Sequence, residues 1–130
     1  MNVVAVFVIV LFSVLLLMQF FPFLRARTIR GKEIQGVGEL LAASGTSDPQ
    51  RKLVYFWSPA CSMCRSMTRV IDKLMEQRDD VLKIDASRSQ DVAKRLHVMA
   101  TPTIVLVNGE KVEDVLVGAR TERQIKALLT

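Results

Sequence analysis

The chain of 130 residues carries two cysteines, Cys61 and Cys64, in the run Phe56-Trp57-Ser58-Pro59-Ala60-Cys61-Ser62-Met63-Cys64. Two thiols at that spacing suit three kinds of chemistry: half of a metal site, a structural staple, or a redox pair that opens and closes during turnover. Zinc takes four ligands, and His97 is the only further soft donor, so a site within one chain is short of donors. A metal shared between two chains through paired Cys-x-x-Cys motifs stays open. A staple over so short a loop restricts the unfolded chain little. Redox exchange is the reading that the residues favour, and it needs neither cofactor nor metal. Cys61 stands at the start of a helix-like run, where unpaired amides and a partial positive charge favour the nucleophilic thiolate. Cys64, three residues on, is placed to attack a mixed disulfide formed at Cys61 and release the reduced substrate.

The elements that must position these thiols follow from periodicity. The short apolar run Lys52–Trp57 reads as a buried strand. From Cys61 to Gln77, Met67, Val70, Ile71, Leu74 and Met75 recur at helical spacing, with Arg69, Asp72, Lys73 and Glu76 opposite. One amphipathic helix with both cysteines near its start is expected. Upstream, Gly31–Val37 reads as a first edge strand, Gly36–Ser44 as a first helix and Ser44–Gln50 as a turn-rich loop. Downstream, Val81–Ala86 reads as a strand and Ser87–Val98 as a helix capped by Ser87 or Ser89. Thr101–Val107 and Lys111–Gly118 flank Asn108-Gly109, a strong hairpin signal, and Thr121–Leu129 forms a closing helix. This order predicts an α/β fold, a mixed central sheet with helices on both faces.

Before that domain, Val3 to Leu24 carries no charge; Ser13 and Gln19 are its polar side chains, and Pro22 falls near its end. About 22 residues at ~1.5 Å each span ~33 Å, enough to cross a bilayer. A cleaved signal peptide wants a basic start, a shorter apolar stretch and a small-residue cleavage site, whereas here Asn2 precedes the run and Arg25 follows it. The segment therefore reads as a retained anchor. Arg25, Arg27, Arg30 and Lys32 crowd just after it, which by the positive-inside bias puts the C-terminal domain in the cytoplasm. The expected organisation is residues 1–24 as transmembrane anchor, 25–35 as basic juxtamembrane linker and 36–130 as the folded domain. The expected location is a single-pass membrane protein of the bacterial inner membrane. The net charge of +5 is largely the juxtamembrane cluster, and without a basic-aromatic surface motif it makes no case for a nucleic-acid partner.

From about Ile34 onward the chain resembles the thioredoxin family. The resemblance rests on Lys52–Trp57 leading into Trp57-Ser58-Pro59-Ala60-Cys61-Ser62-Met63-Cys64, then Val81–Ser87, Ala100-Thr101-Pro102-Thr103, Asn108-Gly109-Glu110 and Val117-Gly118. It implies a thioredoxin-like fold and a catalytic Cys61/Cys64 dithiol. It also implies a cis Pro102 facing the cysteines, with the backbone of Thr101 free to pair with an extended substrate segment. Trp57, Ala60, Met63, Val117 and Gly118 match positions that line the family's shallow apolar groove. The implied function is a membrane-tethered thiol–disulfide oxidoreductase that reduces or exchanges disulfides in protein partners, with the bilayer bound through residues 3–24. Two alternatives stand beside it. One is an accessory or docking subunit of a membrane complex with little redox turnover; the other is the same enzyme facing outward, acting on exported proteins.

The chain departs from the family in ways that bear on mechanism. Ser62-Met63 stands where thioredoxins usually carry Gly-Pro, which leaves the redox potential open. Tyr55 stands where the family often has a buried Asp thought to take a proton from the second cysteine, and Lys83 where it has that Asp's cationic partner. Tyr55 and Lys83 are thus the candidate proton-handling neighbours. With no carboxylate to meet, Lys83 is expected to reach solvent or the Tyr55 hydroxyl.

Overall fold

The computed structural model describes residues 2–28, 30–42 and 51–130. The expected loop Ser44–Gln50 lies outside the described residues, as does the end of the expected first helix, of which Val37–Ala42 (α2) forms. The apolar N-terminal segment is one helix, α1 (Val3–Thr28). Its Val3–Phe21 stretch is long and apolar enough to cross a membrane, and none of it is buried.

Four strands form the sheet: β1 (Arg51–Trp57), β2 (Val81–Asp85), β3 (Thr103–Asn108) and β4 (Lys111–Val117), in the order β2-β1-β3-β4. β1 pairs parallel with β2 and antiparallel with β3, and β3 pairs antiparallel with β4, so the sheet is mixed as expected. Alternation along the strands divides the core in two. Val54, Phe56, Leu82, Ile84, Val105 and Val107 pack with Val37 and Leu41 of α2 and with Ala93 and Leu96 around α4 (Gln90–Arg95). Leu53, Tyr55, Val81, Ile104 and Leu106 pack with Met67, Ile71 and Leu74 of α3 (Cys64–Gln77) and with Ile125 of α5 (Glu122–Leu128).

Several expected boundaries shift. Gly31–Val37 is not a strand: it makes a single bridge, Glu33 to Lys111, and otherwise bonds to the β4 edge through its backbone. Gly31 and Gly36, both at positive φ, turn the chain at either end of that contact and cut any strand short. Helix α4 is shorter than Ser87–Val98, and although Ser89 holds its N-cap position, neither serine side chain caps it. Ser87 is held instead by Asp85, whose Oδ1 accepts from its amide and its hydroxyl. The β3–β4 hairpin forms, but Asn108 stays in the ladder opposite Lys111 and the two loop residues are Gly109 and Glu110. Gly109 at φ +60 takes the first central position, the pattern of a type II′ turn. Helix α5 opens as expected on Thr121, which forms a reciprocal capping box with Gln124.

Candidate active site

The seven residues of β1 run through the core and deliver Trp57 to the end of the sheet. The Cys61 amide donates to the Ser58 carbonyl at 3.1 Å, closing a tight turn through Pro59 and Ala60. That bond ties Cys61 into the turn, so α3 begins at Cys64 with Met63 as N-cap, and the expectation of one helix carrying both cysteines is corrected. No side chain caps the first turn of α3. The two sulfurs are joined in a disulfide with the Cα atoms 5.4 Å apart. Cys61 is half-buried, whereas Cys64 is only 2% exposed.

Two open clefts share Ser58, and one of them is lined by the disulfide. One, of about 270 Å³, is lined by Trp57, Ser58, Pro59, both cysteines, Arg65, Thr68 and Arg69. The other, of about 420 Å³, lies between Ser58, Ala86, the start of α4 and residues 98–101. Between the clefts the Ser58 hydroxyl meets that of Thr101 at 3.4 Å. The Thr101–Pro102 bond is cis. Gly118, at the end of β4, donates its amide to the Pro102 carbonyl at 2.9 Å, and Val117 pairs with Thr103. Trp57, Thr101, Pro102, Val117 and Gly118 thus gather at the end of the sheet that carries the cysteines. Ala60 and Met63 lie exposed in the Cys61 turn, Met63 at 57%.

Behind the disulfide, Tyr55 is fully buried and its hydroxyl donates to the Cys64 carbonyl at 3.2 Å, with the Thr68 hydroxyl also at 3.2 Å. Lys83 sits opposite Tyr55 in the parallel ladder, so both side chains rise on the α3 face. There Lys83 donates to Asp72 Oδ1 at 2.6 Å, with its Nζ 5.6 Å from the centre of the Trp57 ring. Lys83 therefore meets a carboxylate after all: its side chain reaches solvent as expected, 26% exposed, but pairs there with Asp72, while the Tyr55 hydroxyl bonds Cys64 O and Thr68. Ser58, Thr68 and Asp72 were not singled out from sequence as site residues. Spacing did offer a signal, since Thr68 and Asp72 follow Cys64 at successive i+4 steps and so share one side of α3.

Burial pushes the Tyr55 phenol above its ordinary value; the Thr68 hydrogen bond opposes this and the negative Asp72 adds to it. A phenol whose folded value is raised contributes stability that is fully present below about pH 10 and lost as pH rises through the folded value. Tyr55 is the only tyrosine, so ultraviolet difference titration reads it alone. Its ionisation is expected above the free-phenol value and together with alkaline unfolding; a reversible transition near pH 10 in folded protein contradicts its burial. A second expectation concerns the thiols. After reduction, Cys61 should alkylate faster than Cys64 in mass-mapped labelling, because it is the more exposed; equal rates, or Cys64 first, contradict the assigned order.

The family's thioredoxin model matches residues 43–130. The chain belongs to the thioredoxin family. It is 31% identical over 70 residues to thioredoxin 1 of Nostoc sp., an alignment covering 52% of this chain and 65% of that one. It is 28% identical over 80 residues to Bacillus subtilis thioredoxin, covering 59% and 77%. Among solved structures it is similar to a mutant thioredoxin from Halobacterium salinarum NRC-1, with a TM-score of 0.60, 30% identity and coverage of 77% and 83%. These relatives and the Cys61–Cys64 pair support thiol–disulfide oxidoreductase chemistry in the matched domain. The N-terminal helix lies outside the family match.

Proposed function

We propose that the protein is a membrane-tethered thiol–disulfide oxidoreductase acting on disulfides in protein partners. The observation that carries the reading is the Cys61–Cys64 disulfide itself, with Cys61 half-buried, Cys64 buried at the start of α3, and both lining an open cleft. In the reduced state the Cys61 thiolate attacks a substrate disulfide, forming a mixed disulfide and expelling one substrate thiolate. Cys64 then loses its proton and attacks Cys61 Sγ, which re-forms the Cys61–Cys64 disulfide and releases the second substrate thiolate. Two electrons and two protons reach the substrate, and a dithiol donor restores the pair. Trp57, Ala60, Met63, Val117 and Gly118 line the substrate groove, and Thr101, beside Pro102, offers backbone to an extended substrate segment. Tyr55, neutral and already bonded to Cys64 O, is not the base for the second step at neutral pH. Water or the departing thiolate takes that proton.

The tether reading is supported by the length and apolarity of α1 and by the four cations from Arg25 to Lys32, which favour a cytoplasmic domain after residue 35. Its test is protease accessibility. Protease added outside intact spheroplasts is expected to leave the domain uncut and membrane-bound. Digestion with cytoplasmic markers protected sinks the cytoplasmic assignment, and a mature chain lacking α1 by mass sinks the anchor.

A further inference from the structure

Residues 30–36 do not hang as a flexible tether. Gly31 N donates to Val112 O at 2.7 Å, Val112 N to Lys32 O at 3.0 Å and Ile34 N to Glu110 O at 2.8 Å, an antiparallel contact along the outer edge of β4. Its register, set by the Glu33–Lys111 bridge, puts Arg30 opposite Asp114, and the Arg30 Nε donates to Asp114 Oδ1 at 2.8 Å. At the far end Glu110 Oε1 accepts from Gly36 N at 3.1 Å. The clip has a direction. Because it runs antiparallel to β4, the chain upstream of Arg30 leaves toward Val117 and Gly118, the end of β4 bonded to Pro102. From Asp114 to Gly118 is about 13 Å at ~3.3 Å per residue. Only Ile29 separates Arg30 from the end of α1, and α1 packs against β4.

Building on the membrane-tethered reading, we propose that this clip holds the redox end of the domain beside the bilayer surface, so that its substrates are protein disulfides lying close to the membrane plane. A free linker of the same composition would let the domain sample heights that the clipped one cannot, so the clip selects substrates by position. It also covers the outer edge of β4 at Lys111 and Val112, which removes that part of the edge from pairing with other chains.

The single tryptophan, Trp57, stands beside the cysteines and reports their height. The full chain, reduced, is reconstituted into phosphatidylcholine vesicles holding a dansyl-headgroup phospholipid, and energy transfer from Trp57 is measured. A second chain carries about ten Gly/Ser residues between Thr28 and Arg30, which add a root-mean-square reach of roughly 18 Å. Transfer is expected to be strong in the native chain and to fall by half or more with the insert, while reduction of a soluble disulfide stays unchanged in both. Asp114→Ala, remote from the thiols, should lower the transfer in the same direction, and amide exchange at Gly31, Ile34 and Val112 should quicken in it. Equal transfer in native and inserted chains overturns the height inference while leaving the tether intact. Failure of the native chain to float with the vesicles overturns the tether reading, and this inference with it.

Discussion

Cys61→Ser is expected to abolish disulfide reduction, with turnover of a protein disulfide falling about 10³-fold or more, because Cys64 is the only other thiol in the chain and it is buried. Cys64→Ser is expected to fail differently. Cys61 can still attack, but nothing then resolves the mixed disulfide, so the variant accumulates covalent adducts that a reducing gel releases. The structure makes this asymmetry specific, since Cys64 is buried against the turn that presents Cys61 and is poorly placed to meet a large substrate first. Adducts in equal yield from both variants contradict the division of labour and favour the docking-module alternative.

The second large effect is expected at Tyr55. Tyr55→Asp installs the carboxylate that the family resemblance implies for this position, yet Lys83 is already engaged by Asp72, whose negative charge is felt at Tyr55. The new carboxylate would be buried near a like charge and without a cation, and it would leave the Cys64 carbonyl and the Thr68 hydroxyl without the phenol. The expected loss is about 3–5 kcal/mol at pH 7 from lost aromatic packing alone, with charge burial adding to it. A buried carboxyl titrates above its unfolded value, so this added penalty is full above the folded pKa and fades as pH falls toward about 4. Adding Asp72→Asn frees Lys83 to turn toward the new carboxylate. The double variant should therefore be more stable than the sum of the single changes by about 0.5–3 kcal/mol. Denaturant melts of the four proteins at pH 7 and pH 4 decide it; strict additivity would mean that Lys83 cannot reach the Tyr55 position, and equal losses at both pH values would mean that the new carboxylate is not buried in its charged form.

Much of the fold was legible because local pattern and tertiary role agree. Lys52–Trp57 and Val81–Ala86 are short apolar runs and became β1 and β2; the 3.6-residue spacing of Met67, Ile71 and Leu74 became the buried stripe of α3. The errors sit where one backbone bond or a glycine overrides the pattern. The Cys61–Ser58 hydrogen bond delays α3 by three residues relative to a periodicity that cannot see turns, and Gly109 draws the hairpin turn one residue past Asn108-Gly109. At the site, the cysteines were legible from type and spacing, whereas Trp57 and the Thr101-Pro102 pair entered only through the resemblance to the thioredoxin family. The Lys83–Asp72 pair was not legible, because its partners lie on different elements and meet only through the parallel register of β1 and β2. Asp72, 48% exposed, read as one more solvated charge on the polar face of α3.

The central claim is that Cys61 and Cys64 cycle, and the most direct measurement is the number of protein disulfides reduced per chain when a dithiol donor is supplied in excess. Many disulfides reduced per chain, with the count falling to none in Cys61→Ser, is the result expected of an oxidoreductase. One equivalent or fewer from correctly folded protein, with the Cys61–Cys64 disulfide left intact in the presence of the donor, would contradict the account.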